Sequence, residues 1–214
     1  MPVRKITNSG SRKNTGYVPS LKNERPIAYE SLLERDCIYL FEFDGAISSY
    51  SEQPFKITYY IKNRAYSYTP DFQVNYKTGK VVVFEVKPQT TWDKIKENET
   101  KYTKYIAANK YCIANDLEFR ILTDKEVNSG MFIKNIKFLF GYSRVNVPAS
   151  VKLSIRNLLI ENDTMSISQI LSCLKIQNEN ENSANYQYIL ALLYSKYIKT
   201  DMENPISKSS LILQ

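Results

Sequence analysis

The sequence predicts an α/β chain in which a mixed sheet flanked by helices precedes a smaller, mostly helical domain. Three observations lead there. Phe55 to Lys87 consists of β-branched and aromatic runs broken by short polar turns, the pattern of successive strands. Helical periodicity stands on both sides of it, through Leu32, Leu33, Cys37, Leu40 and Phe41 before, and Trp92, Ile95, Tyr102, Ile106 and Ile113 after. Beyond a linker at Gly141 to Pro148, three modest helical patterns follow.

Taken in order, residues 1–26 carry six basic side chains against one acid, with almost no apolar periodicity. They read as a flexible basic arm that orders on DNA, with Arg12, Lys13 and Lys22 as candidate DNA contacts. A helix is expected at about 30–43, with Ser31 as N-cap. Phe55 to Ile61 and Ala65 to Tyr76 are expected strands with Lys62-Asn63-Arg64 as their turn. Lys77-Thr78-Gly79 turns the chain into a third strand, Val81 to Lys87, so three antiparallel strands are expected in succession. Pro88 ends the last one, and a long helix from Trp92 to Ile113 follows. Leu117 to Leu122 returns as a strand after this helical crossover and is expected to pair parallel to an earlier one. In the last part, helices at about 149–161, 166–175 and 183–196 lead to Tyr197 to Thr200 and Ser209 to Leu213, a two-stranded wing. The expected domains are the arm at 1–26, the α/β domain at 27–147 and a small winged-helix-like domain at 148–214.

Composition excludes much. The 214 residues include no histidine, which removes imidazole acid/base catalysis, Ser-His and Cys-His nucleophilic pairs and every histidine metal site. Hydrolytic chemistry must then rest on carboxylates, lysine and a hard cation such as Mg²⁺ or Mn²⁺. Cys37, Cys112 and Cys173 are odd in number and far apart, which points to free thiols rather than a disulfide framework or zinc site. With no apolar run near membrane-spanning length and no apolar leader, the protein is expected to be cytoplasmic, with no membrane partner. The net charge of +7 favours an anionic partner.

A register argument locates the chemistry. If Lys77 to Gly79 is a three-residue loop, residues whose numbers sum to 156 face each other across the hairpin. Phe72 then pairs with Phe84 and Val74 with Val82 on an apolar face. The opposite face carries Asp71 against Glu85, with Gln73 beside them and Lys87 two residues on. Like charges in cross-strand register are destabilising, so the pair needs a reason to exist. A divalent cation supplies it: Asp71 and Glu85 each give an oxygen and the backbone carbonyl of Val86 a third. Lys87 stands ready to orient or deprotonate a water, or to neutralise charge on a phosphate.

The same residues resemble the PD-(D/E)xK nuclease superfamily, and more closely the TnsA endonuclease subunits of heteromeric, Tn-seven-like transposases. The matching segments run in the family's order: Gly16 to Lys22, Tyr29 to Asp36, Glu52-Gln53-Pro54, Thr69-Pro70-Asp71-Phe72, Phe84 to Pro88 and Leu122 to Glu126. The resemblance implies a restriction-endonuclease-like fold and a metal-dependent DNA endonuclease that cleaves the 5′ ends of a transposon. It makes Asp71 and Glu85 the principal metal ligands, Lys87 the catalytic lysine and Glu34 the helix-borne acidic residue, a further metal ligand in prospect. Glu30, one helical turn away, is the rival for that helix role. Gln53 either approaches the site or caps a loop. The implied partners are double-stranded DNA at transposon ends, a TnsB-like transposase and a TnsC-like AAA+ ATPase, in a bacterial cytoplasm and at the nucleoid when acting.

Residues 150–214 carry six basic and six acidic side chains, and the last helical pattern has no Arg or Lys before Lys196, which makes a poor recognition helix. Targeting is therefore expected to come from partners. The rivals are a stand-alone restriction-like or repair nuclease and a catalytically silent DNA-binding subunit.

Overall fold

The chain divides into two units, Met1–Asn128 and Ser129–Gln214, in a computed structural model that describes residues 14–128, 130–177 and 182–213.

The first unit begins with a hairpin of β1 (Gly16–Pro19) and β2 (Pro26–Tyr29). Part of the expected flexible arm is thus structured, and buried acids explain why. Glu52 is buried and takes a two-pronged bond from Arg25, at 2.7 and 2.6 Å. Glu42, also buried, accepts from the Ser20 hydroxyl, the Leu21 N–H at 3.0 Å and the Tyr50 hydroxyl at 2.6 Å. A buried carboxylate without such donors costs several kcal/mol or loses its charge. The polar loop supplies them, so a segment without apolar periodicity is nevertheless tied down.

Helix α1 (Leu32–Phe43) starts at Ser31, whose hydroxyl accepts from the Glu34 N–H at 3.1 Å. Strand β3 (Ile47–Glu52) follows, a serine-rich element that the pattern of apolar residues does not announce. β4 (Ile57–Ile61) and β5 (Arg64–Tyr68) make a separate two-stranded sheet, while β6 (Phe72–Tyr76) and β7 (Val81–Lys87) join β3. The expected run of three antiparallel strands is therefore split between two sheets. The break falls at Thr69-Pro70-Asp71, where proline has no N–H to continue a ladder.

The β6–β7 register is Phe72↔Phe84, Gln73↔Val83, Val74↔Val82 and Asn75↔Val81, the sum-of-156 pairing. Gly79 turns the hairpin with φ +86°, a conformation that side chains disfavour. Phe41 of α1 packs on the apolar face so defined, with ring centroids 5.4 Å from Phe72 and 5.8 Å from Phe84. Burying rings of this size contributes roughly 1.5–3 kcal/mol each, and fixes α1 against the sheet.

The expected single long helix is two, α2 (Gln89–Lys96) and α3 (Glu99–Ala114), because the Asn98 side chain accepts from the Lys101 N–H at 3.0 Å and starts a new helix. β8 (Glu118–Thr123) then pairs parallel to β7, giving the mixed order β3-β6-β7-β8. The short α4 (Asp124–Val127) closes the unit through a Thr123–Glu126 capping box.

The second unit comprises α5 (Met131–Phe140), α6 (Ala149–Asn162), β9 (Met165–Ser166), α7 (Ile167–Gln177), α8 (Asn182–Tyr194), β10 (Lys199–Thr200) and β11 (Leu211–Leu213). The three strands form an antiparallel sheet in the order β10-β11-β9. Ile155, Leu159, Ile170, Ile189, Leu190 and Ile212 fill its core. The expected linker at Gly141 to Pro148 does not mark the division, because α5 belongs to this second core. Leu139 packs within it, and the buried Asn135 amide donates to the carbonyls of Met202 and Asn204 at 2.9 and 2.8 Å. Among the described residues no helix is long and apolar enough to cross a membrane.

Candidate active site

Asp71 ends the Pro70 break and re-enters the sheet, its N–H donating to the Phe84 carbonyl at 3.1 Å. That bond places its side chain beside the end of β7, where the Val86 N–H donates to Asp71 Oδ2 at 2.7 Å. Glu85 stands on the same strand end and is only 2% exposed. The Lys87 ammonium lies 2.8 Å from Glu85 Oε1, 2.9 Å from the Val86 carbonyl oxygen and 3.7 Å from Asp71 Oδ2. Three of the oxygens singled out from sequence therefore converge on one positive charge.

The electrostatics follow from that crowding. Burial, then repulsion from Glu85, raises the Asp71 carboxyl well above its ordinary range, against the opposing pull of Lys87. Burial works against the Lys87 ammonium, but the Asp71 and Glu85 charges outweigh it and its pKa is raised.

Two groups at the cluster escaped sequence reading. The Tyr68 hydroxyl donates to Glu85 Oε2 at 2.6 Å, and burial followed by the Glu85 charge raises the phenol's pKa. Lys104 of α3 lies 3.9 Å from Glu85 Oε1, with its ammonium over the rings of Tyr105 and Tyr68 at 4.6 and 5.0 Å. Burial lowers the pKa of this lysine. The signal available in sequence was weak: alternation along Ile57, Tyr59, Ile61 and along Arg64, Tyr66, Tyr68 marks a hairpin face, but not what that face meets.

Glu34 occupies a double position. Its Oε2 accepts from the Glu30 N–H at 2.7 Å and its Oε1 from the Ser31 hydroxyl at 2.9 Å, so it closes the start of α1. Burial raises its pKa, and its charge is felt by Asp71 while it feels that of Lys87. Glu30 accepts from Gln53 Nε2 at 3.3 Å. Gln53 is the hinge of the loop between β3 and β4, at φ +46°, and its N–H donates to the Asp71 carbonyl at 2.9 Å. Beyond Lys87, Asp124 Oδ1 accepts from the Gln89 N–H at 2.6 Å and fixes the chain where it leaves β7.

Of the expected DNA contacts, Arg12 and Lys13 lie outside the described residues. Lys22 donates its ammonium to the carbonyls of Asp44 and Ile47, the latter at 2.9 Å. That position serves the loop between β1 and β2.

Two carboxyl groups and a carbonyl are hard oxygen donors, and here they meet at one ammonium. This donor set fits Mg²⁺ or Mn²⁺. Among the described residues no group of three or more acidic, cysteine or histidine side chains makes a complete cage. Mg²⁺ does not require one, since it keeps several waters and takes oxygens from substrate phosphate.

A mixed sheet between helices, with paired carboxylates and a lysine at the end of adjacent strands, defines a restriction-endonuclease-like nuclease domain, of a class that usually works with divalent metals. Residues 44–124 match the family model described as TnsA-like endonuclease N terminal, which supports a TnsA-like nuclease domain over this segment. The matched segment holds Asp71, Glu85 and Lys87 and begins after Glu34. The family works on DNA together with the other proteins of such transposition systems. No curated protein matches the chain.

Proposed function

We propose that the chain is the Mg²⁺-dependent endonuclease subunit of a heteromeric transposase, hydrolysing a DNA phosphodiester at the 5′ ends of a transposon. The convergence of Asp71, Glu85 and the Val86 carbonyl at the Lys87 ammonium is the observation that supports this most directly. Held at these oxygens, a divalent cation would lower the pKa of a water and draw charge off the scissile phosphate. Mn²⁺ suits the same donors.

The chain's residues do the rest. The Val86 N–H holds one Asp71 oxygen in place, and the Tyr68 hydroxyl holds Glu85 Oε2, turning Oε1 toward the cluster. Lys87 orients the attacking water and offers positive charge to the phosphate oxygens as the new P–O bond forms and the bond to the departing sugar oxygen breaks. Glu34 supports the cluster from α1 as a fourth acidic group. Its position at the helix start is equally that of a cap, so its role is tested by Glu34→Gln, which keeps the cap's shape while removing the charge. The helix–strand–helix–helix–strand–strand order of residues 149–213 supports a winged-helix-like reading, and its balanced charge favours a protein partner over base reading. A TnsB-like transposase and a TnsC-like AAA+ ATPase are the partners proposed, with action at the bacterial nucleoid.

Mg²⁺-dependent nicking of a DNA carrying transposon ends, with and without purified partner transposase, tests the reading. Cleavage only in the partner's presence supports it. Cleavage by the protein alone supports a restriction-like or repair nuclease. Absence of cleavage under both conditions supports a silent DNA-binding subunit.

A further inference from the structure

Between the β4–β5 hairpin and the helices α2 and α3 lies a cavity of about 420 Å³ that reaches Lys87. Its walls combine two chemistries. One is aromatic: Tyr59 and Tyr66 are cross-strand partners with rings stacked at 5.6 Å and an interplanar angle of 26°. The other is cationic, with Lys87, Lys101 and Lys104 lining the cavity and no acidic residue among the residues that line it. The Tyr105 hydroxyl is buried in the same wall, close enough to Glu85 to feel its charge.

The hairpin face that makes this cavity is layered. Ile57 and Tyr68 form its buried base, where Tyr68 reaches Glu85. Tyr59 and Tyr66 form the next layer, and Ile61 and Arg64 the rim, with the Arg64 guanidinium 5.5 Å over the Tyr66 ring. The cavity thus leads outward from the carboxylate cluster along an aromatic, basic wall. A double helix cannot enter it: the volume equals a cube about 7.5 Å on edge, against about 12 Å for a major groove alone. A single base can. Sequence-tolerant recognition of unpaired nucleotides combines aromatic faces for the base with lysines for the backbone, and both are present.

We infer that this cavity receives an unpaired nucleotide of the DNA strand adjoining the cut, its base against the Tyr59–Tyr66 platform and its phosphate toward Lys101 and Lys104. The inference rests on the nuclease reading and adds a substrate class to it: DNA whose strands are parted next to the scissile bond.

The test is fluorescence anisotropy in EDTA, where no cleavage occurs, on the full chain with a blunt duplex and the same duplex carrying a short single-stranded tail. The tailed duplex is expected to bind about tenfold more tightly, the scale of one base stacked on an aromatic ring. The double variant Tyr59→Ala/Tyr66→Ala is expected to bring the tailed duplex to the affinity of the blunt one, while Tyr59→Phe/Tyr66→Phe retains the preference. Equal affinity for the two duplexes in the parent protein overturns the inference and leaves the nuclease reading standing. So does a tail preference that survives the alanine pair in a folded protein. Failure to bind either duplex likewise overturns the inference, while the nuclease reading, which allows action only with the partner transposase, stands or falls on the nicking assay.

Discussion

The Tyr68 hydroxyl donates to Glu85 Oε2 at 2.6 Å, joining the end of β5 in the small sheet to the end of β7 in the large one. Glu85 is almost wholly buried, so this donor both satisfies one carboxylate oxygen and aims the other. Tyr68→Phe removes it with little change of shape. The expected cost is about 1.5–3 kcal/mol in urea unfolding, the range for a hydrogen bond to a charged group. Cleavage is expected to fall by about 10–100-fold, as when a ligand-orienting partner is lost. Unchanged cleavage in a destabilised Tyr68→Phe protein would show that Tyr68 holds the fold and not the site.

Lys87 is the only cation within 3 Å of the Glu85 carboxylate among the described ion pairs. Lys87→Met keeps the length and removes the charge, leaving Asp71 and Glu85 facing each other across mostly buried surface. A metal-free loss of about 2–4 kcal/mol is expected at neutral pH, somewhat below the cost of breaking a fully buried pair because Lys87 keeps some exposure. Adding Mg²⁺ is expected to recover part of that loss in thermal melts, since a dication takes over the neutralising role, while cleavage stays abolished. A Lys87→Met protein as stable as the parent without metal would remove the ammonium from the account.

The raised Asp71 carboxyl predicts a pH signature. The folded protein keeps a proton on Asp71 at pH values where the unfolded chain, near the ordinary value of 3.8, has released it. The stabilisation from this group is therefore full in acid and is lost as pH rises toward the folded value. Lys87, raised above its ordinary 10.5, contributes stability that is complete below that value and fades only in strong alkali, so it does not mask the effect. Metal binding requires the ionised carboxylate and releases the proton. Mg²⁺ is accordingly expected to raise Tm more at pH 8 than at pH 5, and Asp71→Asn to abolish the difference. An Mg²⁺-induced shift of equal size at both pH values contradicts this.

Much of the site could be read from the chain because a hairpin is local: a three-residue turn fixes which residues face each other, and Phe72, Phe84, Val74 and Val82 sort themselves to one side by alternation alone. Helix α1 was legible for the same reason, through Ser31 and its apolar period. What escaped is tertiary. Nothing in the sequence near Tyr68 or Lys104 says that β5 and α3 close on Glu85. The serine-rich β3 earns its place at the sheet edge by pairing with β6, not by its own pattern. The loop from Ser20 to Arg25 looked disordered because its anchors, Glu42 and Glu52, lie far along the chain. The start of the second unit was hidden in the same way, since Asn135 and Leu139 reveal their allegiance only through distant partners.

The most direct test of the central claim is strand nicking of transposon-end DNA by the protein with its partner transposase in Mg²⁺, comparing the parent chain with Asp71→Ala. Removing a direct metal ligand is expected to cost more than the roughly 10–100-fold typical of its supporting partners, so cleavage at the 5′ ends should fall below detection. Cleavage by Asp71→Ala at the parent rate would contradict the account, for it would mean that the chemistry lies somewhere other than the Asp71, Glu85 and Lys87 cluster.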